Sequence, residues 1–222
     1  AICLGHDVGH SPFGHTGEDA LTPYVEGEWH HAAQSVRIYE VLEPANLTWE
    51  VRDGIRAHSW KVNPPPATLE GYCCRFADRI AYLTHDVDDA VRASVITLDD
   101  LPAIATSTFG PPGPRWIQSM IEAIVAESEG TDTVVMDADS LAAMNELRDF
   151  MFERVYLRPE VEDQNLRAIA IIRDLVDHYI ANPAEIAETY QHDDADGVTQ
   201  AIDYVSGMTD RFAIRDWERL QP

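Results

Sequence analysis

Apolar positions recur every three or four residues along most of the chain, the spacing of a helix with one buried stripe. Over residues 30–43, HHAAQSVRIYEVLE puts Ala33, Val36, Ile38, Val41 and Leu42 on or near such a stripe, and Pro44 stands where that helix should stop. TWEVRDGIRAH, 48–58, predicts a second short helix. KVNPPPATLEG predicts a loop, because three successive prolines exclude a helix interior. The longest periodic stretch, 69–93, repeats Phe76, Ile80, Leu83, Val87 and Val91. VRASVITLDDL is the stretch most open to a strand, yet it continues an acidic helical pattern. TSTFGPPGP, 106–114, predicts another loop. Helices are expected over 115–129, 138–154 and 161–181, with EGTDTVV linking the first two and Asn182-Pro183 closing the third. A final helix over 197–209 follows the acidic turn HDDADG. No internal repeat is evident. The expectation is an all-α fold in a single domain over 1–222, with a catalytic core at 1–100 and a C-terminal helical portion at 101–222 packed around it.

Composition narrows the function classes. A chain of 222 residues can bury a real core. The formal charge of -23 repels nucleic-acid backbones, and no basic stripe offsets it, so no stable nucleic-acid binding is expected. An anionic small substrate would need metal ions and local arginines; all the basic residues except Lys61 are Arg. No apolar run is long enough to cross a bilayer, and no signal peptide is visible. Cys3, Cys73 and Cys74 are odd in number, two of them adjacent, which disfavours a disulfide framework and predicts a cytoplasmic setting. The absence of a CxxC pair removes support for a thiolate zinc site.

Candidate chemistry is concentrated near the start. Five of the nine histidines lie between His6 and His31, in GHDVGHSPFGHTGEDAL and WHHAAQ. On the long helix, Asp78, Tyr82 and Asp86 are four residues apart and share a face, with Arg79 and His85 beside it. DADG, 194–197, has the wrong ligand spacing for a calcium loop and reads as a capping turn; GPPG, 110–113, lacks the Lys and Ser or Thr of a phosphate loop.

GHDVGHSPFGHTGEDAL, followed by WHHAAQSVRI, TWEVRDGI, ATLEG, RFADRIAYLTHDVDDAVRA and DYVSGMTDRFA, resembles the HD-domain deoxynucleoside triphosphate triphosphohydrolases, nearest their bacterial dGTPase-like branch. The resemblance runs from Ala1 to about Phe212. It implies the HD-domain helical fold, whose opening helices precede Ala1. It also implies a metal held by an upstream His before this segment, the doublet His6 and Asp7, and the distant Asp78. Two imidazoles and two carboxylates suit one divalent ion, Mn foremost, with Mg, Zn, Fe, Co or Ni as alternatives.

By the same resemblance, His10 contacts substrate phosphates, His15 lies near the departing 5′ oxygen with Glu18 as its carboxylate, and His31 is the second catalytic imidazole. An imidazole can hold or release a proton near neutrality, and a carboxylate beside it fixes its tautomer. His30 reads as a bystander, and Ala32 departs from the polar residue expected there. Arg79 and Tyr82 match positions that touch phosphate and sugar, and Asp86 would bond a 3′ hydroxyl. Arg52 or Arg56 would help to hold phosphates, and MTDRF near the C-terminus would pack on the pocket or an oligomer interface. The implied activity is hydrolysis of deoxynucleoside triphosphates to deoxynucleoside and inorganic triphosphate by a homo-oligomer. The alternatives are a nucleoside monophosphate phosphohydrolase and a non-catalytic nucleotide sensor or scaffold.

Overall fold

A computed structural model describes residues 1–221 except Asp194, and of Glu160 the backbone alone. Among the described residues every regular element is helical. The chain divides into two compact units: Ala1–Pro64 with Asp163–Pro222, and Pro65–Glu162.

The first unit is assembled from both ends of the chain. Its elements are α1 (Ile2–Gly5), α2 (His15–Leu21), α3 (His31–Arg37) and α4 (Trp49–Arg56), joined by α9 (Glu162–Ala181), α10 (Gly197–Ser206) and α11 (Asp210–Leu220). Ala20, Leu21 and Trp29 form one apolar cluster with Ile172, Leu175, Val176 and Tyr179 of α9, Ala201 and Val205 of α10, and Ala213 of α11. This cluster anchors α2, and with it the histidine-rich segment, on the C-terminal helices. Truncating a buried leucine such as Leu21 or Leu175 costs about 2–5 kcal/mol. α3 widens into a π turn over Ile38–Leu42, closed by Glu43 N donating to Ile38 O at 2.7 Å. α4 packs on both α1 and α3.

The second unit holds α5 (Leu69–Arg92), α6 (Ala103–Phe109), α7 (Arg115–Ser128) and α8 (Ala138–Met151). Thr68 caps α5 by accepting from Gly71 N at 3.2 Å, and Asp137 caps α8 by accepting from Ser140 N at 2.9 Å. The apolar stripe of α5 is buried at Phe76, Ile80, Leu83 and Val87. α5 packs on α7 and α8, and α6 packs on the same two helices. Among the described residues no helix is long and apolar enough to cross a membrane.

Three details differ from the sequence expectations. Thr106–Phe109 belong to α6 rather than a loop, because Ala105 and Phe109 bury one face while the Thr106 and Ser107 hydroxyls return to the Ala103 and Ile104 carbonyls. The chain leaves the helix only at Gly110, at φ 82°. VRASVITLDDL leaves α5 after Arg92: Ser94 turns to φ 57°, and a single 3-10 turn follows at Leu98–Asp100, capped by Thr97. The terminal helix ends at Ser206 and a further helix, α11, starts behind Thr209, whose hydroxyl caps Phe212 N at 3.3 Å. DADG holds the capping turn of α10, Asp196 accepting from Thr199 N at 2.7 Å; its Asp194 lies outside the described residues.

Candidate metal and catalytic centre

The His-Asp doublet follows directly on α1 and is held by α3. Ser35, fully buried, donates its hydroxyl to the His6 carbonyl at 2.7 Å and accepts from Gly9 N at 2.9 Å. Gly9 lies against α3 so closely that a Cβ there would meet Ser35 N at 2.3 Å. After the doublet, Phe13 and Gly14 both take positive φ, 63° and 58°, and this reversal launches α2 with His15 as its first residue. Asp210 of α11 fixes that reversal by accepting from Phe13 N at 3.0 Å, so the MTDRF segment packs on the histidine-rich loop.

Seven side chains converge in this unit. His6 Nε2 lies 3.3 Å from Asp7 Oδ2. Asp7 Oδ1 lies 3.5 Å from His31 Nε2 and 3.6 Å from His58 Nε2, and the two imidazole nitrogens are 3.0 Å apart. Glu18 accepts from the His31 backbone amide at 2.9 Å and from its ring Nδ1 through the same oxygen. The ring of His10 stacks on His31, centroids 4.4 Å apart and planes 5° from parallel, and His15 stands edge-on to both. His31, His58 and Glu18 are buried, while Asp7 and His15 are exposed. The cluster has a buried floor and an open rim.

The electrostatics follow from that placement. Burial pushes the Asp7 carboxyl up, but the His6 hydrogen bond and the charges of His6, His31 and His10 outweigh it and bring it to about 2. Burial opposes ionisation of Glu18 as well, and its side-chain and backbone bonds to His31 reverse this, again to about 2. Burial, followed by repulsion from His31, holds His10 below the ordinary histidine value. His30 is lowered mainly by burial; its Nδ1 is 3.9 Å from Glu18.

The donor set fits a divalent ion. His6 Nδ1 bonds the Cys3 carbonyl at 2.8 Å and His58 Nδ1 the Ile55 carbonyl at 2.7 Å, which turns Nε2 of each ring towards Asp7. Such carbonyl-oriented imidazoles are the usual outer support of a metal site. His6, Asp7 and His58 form one potential ligand group, and Asp7, His10 and His31 another. These are hard-to-intermediate nitrogen and oxygen donors, suited to Mn, Fe, Co, Ni or Zn.

The remaining sequence candidates lie on α4 and α5. Arg52 gives its Nη1 to Glu40 at 2.5 Å, and Arg56 bonds Asp53 at 2.7 Å, so both guanidinium groups are already engaged by carboxylates. Asp78, Arg79, Tyr82 and Asp86 lie on α5 of the second unit. Arg79 is buried and donates to Asn145 Oδ1 at 3.1 Å; Asp78, Tyr82 and Asp86 are half-buried, unlike the exposed Ala81, His85, Asp88 and Asp89. Asp86 receives the Tyr156 hydroxyl, and burial with that bond pushes the Tyr156 phenol far up. Arg148 lies 4.4 Å over the Phe152 ring and helps to counter the burial of Tyr82.

Sequence reasoning missed Ser35, His58, Asn145, Arg148 and Tyr156. His58 closes the predicted 48–58 helix and carries no motif of its own. Tyr156 sits just past the predicted 138–154 helix, seventy residues from its partner.

Comparison with known proteins assigns the chain to a family. The HD domain matches residues 1–83, and a phosphohydrolase-associated domain matches residues 134–219. A deoxyguanosinetriphosphate triphosphohydrolase-like protein of Caldanaerobacter subterraneus subsp. tengcongensis is 37% identical over 99% of this chain and 66% of its own length. Proteins of the same description from Clostridium perfringens and Desulfatibacillum aliphaticivorans are 34% and 35% identical over 99% of the chain, which covers 68% and 69% of them. The chain thus spans about two thirds of the length of these curated relatives. It belongs to the HD-domain phosphohydrolases, in the family of deoxyguanosinetriphosphate triphosphohydrolase-like proteins.

Proposed function

We propose that the protein hydrolyses deoxynucleoside triphosphates at the α-phosphorus, releasing the deoxynucleoside and intact inorganic triphosphate. The observation that carries this reading is the Glu18–His31 pair at the floor of a centre that also holds His6, Asp7, His10 and His15. His6 and Asp7, with Asp78 as the distant ligand the family resemblance calls for, hold a divalent ion. When bound, that ion supplies a Lewis acid that polarises the phosphate and orients water.

The protein side chains do the rest. Glu18 accepts the Nδ1 hydrogen of His31, which fixes the tautomer and turns Nε2 towards Asp7. His10, kept neutral by burial and by His31, meets the phosphate as a neutral hydrogen-bond donor. As water forms its bond to the α-phosphorus, it gives up a proton and the bond to the 5′ oxygen breaks. His15, exposed at the rim, and His31 are placed to manage the proton lost by water and the one taken by the leaving oxygen. Arg79 adds charge-assisted contacts to the triphosphate, and the Tyr82 ring against the sugar disfavours a ribose, whose extra hydroxyl would clash or stay unpaired. Asp86 receives the 3′ hydroxyl.

The test is an assay of the full-length protein with Mn and a mixture of the four deoxynucleoside triphosphates, products read by mass. Deoxynucleoside plus triphosphate supports the reading. Orthophosphate from monophosphates alone would replace it with a monoesterase, and tight binding without product over hours would replace it with a nucleotide sensor.

A further inference from the structure

The proposed reaction gives His15 a proton-transfer task, yet this residue stands exposed at the rim as the first residue of α2. Its ring lies edge-on to His10 and His31, at centroid distances of 5.7 and 6.3 Å. The direction of that ring is set by the backbone on which it stands. Phe13 takes φ 63°, a left-handed angle that a residue with a Cβ adopts at a cost. Gly14 follows at φ 58° and ψ -133°, a combination open in practice to glycine. A strained reversal of this kind persists where its surroundings over-determine it.

Two side chains from the C-terminal part of the chain do so, one on each side of His15. Before it, Phe13 N donates to Asp210 Oδ1 at 3.0 Å. After it, the Thr16 hydroxyl donates to Asn165 Oδ1 at 3.3 Å. Asp210 is the first residue of α11, and Asn165 lies in the first turn of α9. These two helices are braced against each other: Trp217 Nε1 donates to Asp174 Oδ2 at 2.8 Å, and the Tyr179 hydroxyl donates to Asp216. Both helices contribute to the apolar cluster on which the Phe13 ring packs. One platform therefore grips the backbone at Phe13 and at Thr16, with His15 between the two grips.

We infer that Asp210 and Asn165 are positioning residues for His15, so that the phosphohydrolase-associated helices set the direction of a catalytic imidazole. Neither side chain needs to touch substrate. Without the Asp210 acceptor the Phe13 amide loses its partner, and the reversal relaxes towards ordinary backbone angles. α2 then starts from a different point, and the His15 ring swings away from the reacting bond. A misplacement of about 1 Å can cost roughly 100-fold in rate. The amide needs an acceptor oxygen rather than a charge. Asp210→Asn thus preserves the grip while removing the carboxylate that favours the N-terminus of α11. The inference rests on the hydrolytic reading for the task of His15.

The test measures triphosphate release by full-length, Mn-loaded variants, each also built in a His15→Ala background and assayed at high enzyme concentration. Asp210→Ala should lower kcat roughly 10–100-fold with KM changed less than about twofold, and Asp210→Asn should restore most of the loss. With His15 already removed, Asp210→Ala should have no further effect on the residual kcat, because both changes act through one group. Hydrogen exchange at the amides of residues 13–17 should quicken in Asp210→Ala and stay unchanged in α5. Asn165→Ala should behave in the same way and carries the cycle if Asp210→Ala does not fold. The same fold-loss with and without His15, no rescue by Asp210→Asn, or wild-type kcat in both alanine variants would overturn the inference while leaving the proposed reaction in place. A wild type that releases no triphosphate would overturn the hydrolytic reading itself, and with it the catalytic task assigned to His15.

Discussion

One oxygen of Glu18 receives both the backbone N–H of His31, at 2.9 Å, and the Nδ1 of its ring. The ring is thereby fixed in tautomer and in direction at once. Glu18→Gln keeps the volume and an acceptor but removes the charge. It should lower kcat roughly 10–100-fold, with a smaller change in KM and an unchanged circular dichroism spectrum. A kcat within about twofold of wild type, metal occupancy being equal, would remove Glu18 from the catalytic account.

The doublet is held in place from behind by Ser35 and Gly9. Ser35→Ala strips the His6 carbonyl and the Gly9 amide of a buried partner and should cost roughly 1–3 kcal/mol. Gly9→Ala must push a Cβ into α3 backbone and should cost more, or abolish soluble expression. Urea denaturation of the two variants checks the order. Gly9→Ala as stable as wild type would mean that the close approach is not needed.

The helices were legible because their apolar stripes are continuous, as at Phe76, Ile80, Leu83 and Val87. What was illegible depended on local competition or on long-range pairing. Thr106 and Ser107 read as part of the TSTFGPPGP loop, yet here their hydroxyls bond their own helix carbonyls. Thr209 read as the end of the last helix, but its side chain caps the next one. His6, Asp7, His10, His15, Glu18 and His31 were legible as a dense cluster. His58 was not, since only the packing of α4 on α1 and α3 brings it to Asp7 and His31. Ala32 departs from the polar residue expected beside His31, whose ring is instead held by Glu18.

Asp203 of α10 is 1% exposed and accepts from Gln34 Nε2 at 2.8 Å and from Arg37 Nη2 at 2.6 Å. It ties the C-terminal helices to the helix that carries His31. Asp203→Ala leaves both donors without this acceptor in a buried setting and should destabilise by roughly 3–5 kcal/mol. A loss below about 1 kcal/mol in chemical denaturation would contradict the role of this ion pair.

Alkaline titration probes the tyrosine–carboxylate pairs. Burial and the hydroxyl bonds to Asp86 and Asp216 raise the Tyr156 and Tyr179 phenols above 10. A raised folded-state value means a stability contribution fully present below the unfolded value of 10 and lost as pH rises through the folded one. Tyrosinate absorbance should therefore rise in two phases, the second coinciding with loss of helical signal. Ionisation of all eight tyrosines in one step near 10, with the fold intact, would contradict the pairing.

The most direct test of the central claim is turnover of a deoxynucleoside triphosphate in oxygen-18 water by the full-length, metal-loaded protein, with products read by mass and phosphorus NMR. Attack at the α-phosphorus places one heavy oxygen in the released triphosphate and none in the deoxynucleoside. Label in the deoxynucleoside, or release of orthophosphate or pyrophosphate in place of triphosphate, would contradict the account.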